Sequence, residues 1–336
     1  MRAWQLPAFG IDHLTLSGLP TPDPGPGEVL VHFAAASVNP RDSQIIAGHF
    51  TPNVDFPLVP LSDGAGTVAA VGKGVSRVAV GDLVAPTFFP NWLDGEALGE
   101  ERKISGGLEA PGVLREYGVY PEHALVKAPA GLSAAELACF PCAGLTAWTA
   151  LVEKSRVSPG SWVLVQGTGG VATAALQFAT ALGANSIVLS SSDERLARAR
   201  ELGATETINY RETPDWGEQA YAMAGHGVDA VVEIGGAGTL PQSLAAIRHG
   251  GHVNVIGYMA GAALDLTVFP LIIRNANIHG IGTGHRAAFE ALLAFVGEKG
   301  LRPVIARRYA FDEAPSALRD LDAGGFQGKL VIDLPG

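Results

Sequence analysis

One short run constrains this chain more than any other: Gly167-Thr168-Gly169-Gly170-Val171-Ala172. It follows the apolar segment Trp162 to Gln166 and opens a helix-patterned segment from Val171 to Leu182. In a strand–turn–helix setting, the first glycine permits the tight turn. The second lets the backbone approach a pyrophosphate, and a small sixth residue lets helix and strand pack closely. The helix N-terminus then offers unpaired N–H groups and the positive end of its dipole to phosphate. Gly167, Thr168, Gly169, Gly170 and Val171 are therefore candidate dinucleotide-binding residues. Glycine turns of this kind also occur where a helix packs tightly on a sheet with no ligand.

The surrounding rhythm supports the binding reading. Ser186 to Ser190, Asp229 to Ile234, His252 to Ile256 and Asn277 to Ile281 read as further strands, with helices over Asp193 to Leu202 and Thr239 to Arg248. Strands alternating with helices predict an α/β fold with a doubly wound parallel sheet. Residues 1 to about 125 read instead as mostly β, with strands over Glu28 to Ala34, Gly66 to Gly72 and Asp82 to Ala85. Residues 86–113 read as an irregular excursion. After Gly284 a helix is expected with Phe289, Leu292, Leu293 and Val296 on one face. Gly328 to Asp333 reads as a strand returning to the first domain. The organisation expected is one domain from residues 1–125 with 286–336, and a second, inserted domain over 126–285.

Composition narrows the partners. The formal net charge is −10 and the isoelectric point about 5.4, which argues against a general nucleic-acid binder. The uncharged stretch from Val157 to Ser192 is broken by glycines and Pro159, so no membrane span is expected there. The N-terminus lacks a signal-like apolar core, so a soluble cytoplasmic protein is expected. The two cysteines, Cys139 and Cys142, lie in an apolar setting where cysteine packs as a small hydrophobe. A redox role for this C-x-x-C is the alternative.

The second strand of the α/β half ends in Ser190-Ser191-Ser192-Asp193, with Arg195 just beyond. Serine at the strand tip does not repel a ribose 2′-phosphate, and Arg195 adds charge. This favours NADP(H). Two other readings stay open: Ser192 or Asp193 capping the next helix, and Asp193 reaching a ribose hydroxyl, which would favour NAD.

The chain resembles the medium-chain dehydrogenase/reductase superfamily over nearly its whole length. The carriers are Pro26-Gly27-Glu28-Val29-Leu30-Val31, the run Gly64 to Gly72, Gly81-Asp82, Cys142 to Trp148, the glycine loop and Leu202-Gly203-Ala204. The resemblance implies a GroES-like β-rich catalytic domain, an inserted Rossmann domain and a homodimer joined through the Rossmann sheets. At the positions where zinc members of the superfamily hold their catalytic metal, this sequence has Asn39, Ser62-Asp63 and Cys142. One cysteine cannot make a site that needs three protein ligands, and no cysteine lies between residues 86 and 113, so no metal is expected. The chain is most similar to the zinc-free, quinone oxidoreductase-like branch. That likeness implies Asn39, Asp42 and Thr146 near the nicotinamide, and Ser190, Arg195 and Tyr210 at the 2′-phosphate. It also implies Gly257-Tyr258 and Ile281-Gly282-Thr283 along the cofactor. Pro40 stands where many relatives have an aromatic residue.

Without a metal, the negative charge that builds on an acceptor oxygen is best carried by delocalisation. Quinones and conjugated enones provide it; a simple ketone does not. The expected activity is therefore NADPH-dependent reduction of a quinone or conjugated enone, a small-molecule carbonyl or quinone substrate. Asn39 is a candidate hydrogen-bonding residue, Asp42 a loop-holding one and Tyr258 a candidate proton relay. For Asn39 and Tyr258 the packing or capping roles are equally open. The alternatives are an alcohol dehydrogenase or ketone reductase working by hydrogen bonds, and a dinucleotide-binding regulator without turnover. Phe50, Phe88, Phe89 and Trp92 are candidate pocket aromatics, with core packing the competing role.

Overall fold

A computed structural model describes residues 1–103, 105–263 and 267–335. The chain divides into two compact units: Met1–Leu145 with Gly284–Gly336, and Thr146–Thr283. The sequence reading set these divisions near residues 125 and 285; residues 126–145 instead group with the terminal unit.

The strands in chain order are β1 (Arg2–Gln5), β2 (Thr15–Gly18), β3 (Glu28–Ser37), β4 (Asp63–Val71), β5 (Leu83–Pro86), β6 (Tyr117–Pro121), β7 (Leu125–Lys127), β8 (Trp162–Gln166), β9 (Asn185–Ser190), β10 (Glu206–Asn209), β11 (Val228–Glu233), β12 (Ile247–Val255), β13 (Asn277–Gly280), β14 (Ile305–Ala310) and β15 (Lys329–Asp333).

In the inner unit, a six-stranded sheet runs β10-β9-β8-β11-β12-β13. Every neighbouring pair is parallel. Strand order reverses between β8 and β11, so their C-terminal ends open the crevice where doubly wound sheets bind ligands. The central strands bury both faces: Val163, Leu164, Val165, Val231 and Val232 are all fully buried. Such continuous apolar strands are the mark of a parallel sheet covered on both sides.

The terminal unit holds a seven-stranded sheet along β14-β15-β3-β4-β5-β7, with β6 also paired to β3. β15 joins β3 antiparallel through Val331–Ser37, Ile332–Ala36 and Asp333–Ala35. This is the expected return of the chain to its first domain. The helix Arg286–Lys299 buries Phe289, Leu292, Leu293 and Val296, the face that the 3.6-residue spacing assigned. His285 caps this helix, its Nδ1 accepting from the Ala288 N–H at 2.9 Å.

The excursion over 86–113 ends in a segment that folds back onto residues 59–61. Gly112 N–H donates to Val59 O (2.7 Å) and Val113 N–H to Leu61 O (2.9 Å). The sequence reading did not delimit the helical run Ala134–Lys154. It is long and apolar enough to cross a membrane, but 83% of its apolar window is buried inside the protein. Pro141 and Gly144 within it fall in the five-residue π turn Phe140–Gly144, and a six-residue π turn over Thr149–Lys154 ends the run.

Candidate active site

The terminal unit gathers a buried polar cluster on the entry to the helix Pro40–Ile46 and on the first residue of β15. Asn39 is the N-cap residue of that helix. Asp42 Oδ2 accepts from the Asn39 backbone N–H at 2.8 Å, so Asp42 holds the loop. The Asn39 side chain is turned elsewhere: its Oδ1 accepts from Lys329 Nζ at 2.5 Å. Lys329 Nζ also donates to Val38 O at 2.7 Å. Asn39 Nδ2 is buried and faces Asp63, whose carboxyl it helps to hold down. Asp63 accepts from the Ser62 hydroxyl (2.8 Å) and from the Cys142 N–H (3.0 Å).

Two carboxyl groups inside an apolar unit are costly to ionise. Burial pushes Asp42 up to about 6, against the lowering pull of the Arg41 guanidinium and with a further push from Asp63. Burial likewise raises Asp63, opposed chiefly by the Lys329 ammonium. Because the folded-state value of Asp42 lies above its ordinary 3.8, its contribution to stability is full below that value. It is lost as pH rises through about 6. A shift of this size amounts to about 3 kcal/mol. Asp42→Asn keeps an acceptor for the Asn39 N–H and removes the charge. The variant is expected to gain stability relative to the native protein between pH 4 and 6 (about 3 kcal/mol). Urea unfolding across that range checks it, and a pH-independent difference would refute it.

Arg41 is fixed by Gly106 O (3.1 Å) and Ser105 Oγ (3.0 Å). Its guanidinium lies 4.7 Å from the Phe88 ring centre and 5.7 Å from that of Phe50. Phe88 and Phe89 are buried and pack edge-on. Of the candidate pocket aromatics, Phe50 and Phe88 thus flank this arginine.

In the inner unit the glycine loop does what its spacing required. Gly167 has φ +75°, a conformation L side chains rarely adopt, and a Cβ there would lie 3.0 Å from Ile234 Cδ1. Gly169 has ordinary dihedrals and open space where its Cβ would sit. Neither backbone nor packing demands glycine there, and the open space leaves its backbone accessible to a ligand. The helix Gly170–Ala181 begins with no side-chain cap, so its first N–H groups are available to an anion.

A second group lies on the tips of β9 and β10. Arg195 Nη2 donates to Ser191 Oγ at 3.0 Å, and Arg195 Nε is buried without a partner. Tyr210 N–H donates to Ser190 O at 3.1 Å. Ser192 caps the following helix, and Asp193 Oδ1 accepts from Asn209 Nδ2 at 2.8 Å.

The loops after β11 and β12 are tied together. Met259 N–H donates to Ile234 O, and Ala260 N–H to Gly235 O. A Cβ on Gly257 would lie 2.6 Å from Ile234 O. Gly167 and Gly257 therefore both abut Ile234. Tyr258 is half exposed. Thr146 is buried, as is Thr283, whose backbone is left-handed (φ +61°). The Thr283 hydroxyl is without a hydrogen-bond partner. Ile281 N–H donates to Val255 O at 2.9 Å.

Beneath these loops lies a residue the motif search passed over. Glu233, fully buried at the end of β11, accepts from Gln166 Nε2 (2.6 Å), Gly235 N–H (2.8 Å), Gly236 N–H (2.9 Å), Thr239 Oγ1 (2.5 Å) and Ser243 Oγ. Gln166 Oε1 in turn accepts from the Ile234 and Gly235 N–H groups. Only its place one residue before the Ile234-Gly235-Gly236 turn hinted at this in the sequence. Lys329 was also missed: it reads as an ordinary residue of the strand Gly328 to Asp333.

The sequence matches the alcohol dehydrogenase GroES-like domain over residues 25–130 and the zinc-binding dehydrogenase family over residues 170–298. A zinc-type alcohol dehydrogenase-like protein of Schizosaccharomyces pombe is 43% identical over 92% of this chain and 91% of its own length. A provisionally named alcohol dehydrogenase of Sinorhizobium meliloti 1021 superposes with a TM-score of 0.93, at 44% identity over 99% of this chain and 98% of that one. An NAD-dependent alcohol dehydrogenase structure superposes at 0.91, with 34% identity and both chains fully covered.

The zinc that these family descriptions imply finds a poor donor set here. Asn39 Oδ1 is taken by an ammonium, and Asp63 is already bonded to Ser62 and Cys142. Burial and Asp63 push the Cys142 thiol well above its ordinary range, which disfavours the thiolate a metal needs. Burial likewise pushes Cys139 up to about 12. Among the described residues no group of three or more His, Cys, Asp or Glu side chains is placed to hold a metal. A nicotinamide dinucleotide fits better: the open Gly169 cradle, the uncapped helix start and the β8–β11 crevice suit its pyrophosphate. A GroES-like unit, a Rossmann unit with this cradle and matches of this extent make the chain an oxidoreductase of the medium-chain dehydrogenase/reductase superfamily.

Proposed function

We propose that the protein is an NADP(H)-dependent, zinc-independent reductase of a quinone or conjugated enone. The observation that carries this reading is the cluster of Asn39, Ser62, Asp63 and Cys142, in which Asn39 Oδ1 accepts from Lys329 and Asp63 accepts from Ser62 and from the Cys142 N–H. With no Lewis acid, the acceptor itself must spread the charge that develops on its oxygen. The bound dinucleotide supplies the hydride. Gly167, Thr168, Gly169, Gly170 and Val171 hold its pyrophosphate, while Thr146, Gly257, Ile281 and Thr283 line it. Asn39 Nδ2, buried beside Asp63, hydrogen-bonds the acceptor; Asp42 keeps its loop in place. Tyr258, half exposed in the loop after β12, relays a proton from solvent to that oxygen.

Preference for NADP(H) rests on Arg195. Its Nη2 is anchored to Ser191 and its Nε is unspent, so Ser190, Ser191, Arg195 and Tyr210 form a 2′-phosphate pocket. Asp193, the competing ribose contact, is engaged by Asn209.

The test is loss of NADPH absorbance with a simple quinone, on chelator-treated protein, with NADH in parallel. Turnover with NADPH preference is expected, and Arg195→Gln should erode that preference about 10- to 100-fold, the worth of a charged hydrogen bond. Absence of quinone and enone turnover would defeat the reading. Oxidation of a secondary alcohol in its place would establish the second one, an alcohol dehydrogenase. The names of the relatives favour that reading.

A homodimer belongs to the same proposal. β13 is the open edge of the inner sheet; Ile278 on it is exposed, as are Phe269, Ile272 and Ile273 of the helix Phe269–Arg274. An unpaired apolar edge of this kind seeks another strand. A monomeric mass by light scattering would remove it.

A further inference from the structure

β13 is a short edge strand of four residues, with β12 as its sheet neighbour among the described residues. The two strands run parallel, His252 lying opposite Asn277 and Asn254 opposite His279. Side chains alternate along a strand, so the two imidazoles stand diagonally on one face. His252 Nδ1 and His279 Nε2 are 3.0 Å apart, while the ring centres are 5.2 Å apart and the ring planes differ by 15°. Nitrogens that near, between centres that distant, set the rings edge to edge. A lone pair of one ring then faces an N–H of the other. Either ring can donate, but the two facing nitrogens share a single proton.

The groups around the pair are mostly cationic. Arg248 and Arg156 act on His252, and Lys154 acts on His279. Asp229, the carboxylate beside His252, is engaged by Arg248 Nε (2.6 Å) and by the Trp162 N–H (2.7 Å). Burial first, then the neighbouring ring and the cations, lowers His252 from the ordinary 6.5; burial and then Lys154 lower His279. The pair accommodates one added proton on the far nitrogen of the donor ring. A second added proton sets N–H against N–H and leaves a charge on each ring.

We propose that the His252–His279 pair is an acid-released latch on β13, tying the edge strand to β12 while the facing nitrogens share one proton and opening when both rings are protonated. On opening, the N–H···N bond breaks, each ring keeps two N–H groups, and like charges push His279 away from β12. A strand paired on one side yields before a central strand such as β8. The sign follows from the lowered values: the tie is at full strength above about 6.5 and weakens as pH falls below it. Asp42, in the terminal unit, acts in the opposite sense, so the latch is read locally rather than from global unfolding. One consequence rests on the homodimer proposed above: a dimer that pairs through β13 would dissociate in acid.

The experiment follows hydrogen exchange of the full chain at about pH 7.5 and about pH 5, on either side of the histidine range. Rates are expressed as protection, which cancels the intrinsic effect of pH. Protection of residues 277–280 relative to β8 is expected to fall about tenfold or more on acidification. In His279→Gln, which keeps hydrogen-bonding groups but cannot ionise, that ratio should move by less than about twofold. A native ratio that ignores pH would overturn the proposal, as would a fall in His279→Gln equal to the native one. Ring-nitrogen NMR of the native protein carries the test if the variant does not fold. Both rings should take up their protons over the range in which β13 loses protection; two imidazolium rings with β13 still protected would overturn the latch. Light scattering on the same samples reads the consequence separately. Loss of dimer mass in step with β13 exchange supports it, whereas a monomer at both pH values removes the homodimer and leaves the exchange data to decide the latch.

Discussion

Glu233→Leu should leave the inner unit unable to fold stably. The substitution strips five donors of their acceptor at once: two backbone N–H groups, two hydroxyls and the Gln166 amide. Each buried donor left unsatisfied costs about 1–3 kcal/mol. The sum rivals the whole stability of an ordinary domain, about 5–15 kcal/mol. Glu233→Gln is the informative companion. It keeps the shape and one acceptor but brings an NH₂ group against Gln166 Nε2 and Ser243 Oγ. A loss of about 2–4 kcal/mol is expected, with melting lowered by about 5–10 °C. Hydrogen exchange should quicken first in residues 234–239 and 257–261, because those loops are bonded to each other above Glu233. An unchanged melting temperature in Glu233→Gln would show that the carboxylate does not organise the crevice.

Gly112→Ala is expected to be nearly as damaging, for a steric reason. A Cβ at Gly112 would lie 2.2 Å from Pro60 O and 2.3 Å from Leu61 O. Both are backbone atoms, and neither can rotate away. The segment carrying Gly112 would have to lift from residues 59–61, breaking its hydrogen bonds to Val59 and Leu61. Leu61 is already held at φ +71°, a conformation costly for a branched residue. It immediately precedes Ser62 and Asp63, so the strain reaches the polar cluster. A destabilisation of about 3 kcal/mol or more is expected, with activity falling in step. Gly106→Ala, in the same segment, is the control: its Cβ would find nothing nearer than 3.8 Å, and it should behave as native. Equal melting temperatures for the two variants would contradict this account.

The features legible in the sequence were those carried by local rules. β8 spans Trp162–Gln166 as read, and the helix after it begins one residue early, at Gly170. The four apolar residues from Phe289 to Val296 are buried as their spacing implied, since a helix face depends only on neighbours three and four residues away. β10 and the helix Trp216–Met223 were not resolved individually. With four residues in the strand, and two of its residues half-buried at its start, β10 carries too short a pattern to separate from a turn. The polar cluster was half legible. Asn39, Asp42, Ser62, Asp63 and Cys142 were singled out through the resemblance, and they do converge. Lys329 was invisible because its partner Asn39 lies 290 residues away, and no periodicity links a strand residue to a side chain that distant. Glu233 was invisible for the opposite reason: a carboxylate ending an apolar strand reads as the solvent-facing residue where the chain leaves the sheet.

β15 lies between β14 and β3 in the sheet of the terminal unit, and its first residue is Lys329. Synthesis runs from the N-terminus, and domains fold as units when they emerge. The inner unit, closed by Thr283, has all its strands while the Ala35–Ser37 end of β3 still lacks β15. A nascent chain therefore passes through a stage in which a dinucleotide could already be bound while the cluster around Asn39 lacks its cation. The ribosome delivers the cradle first and the cluster's cation last.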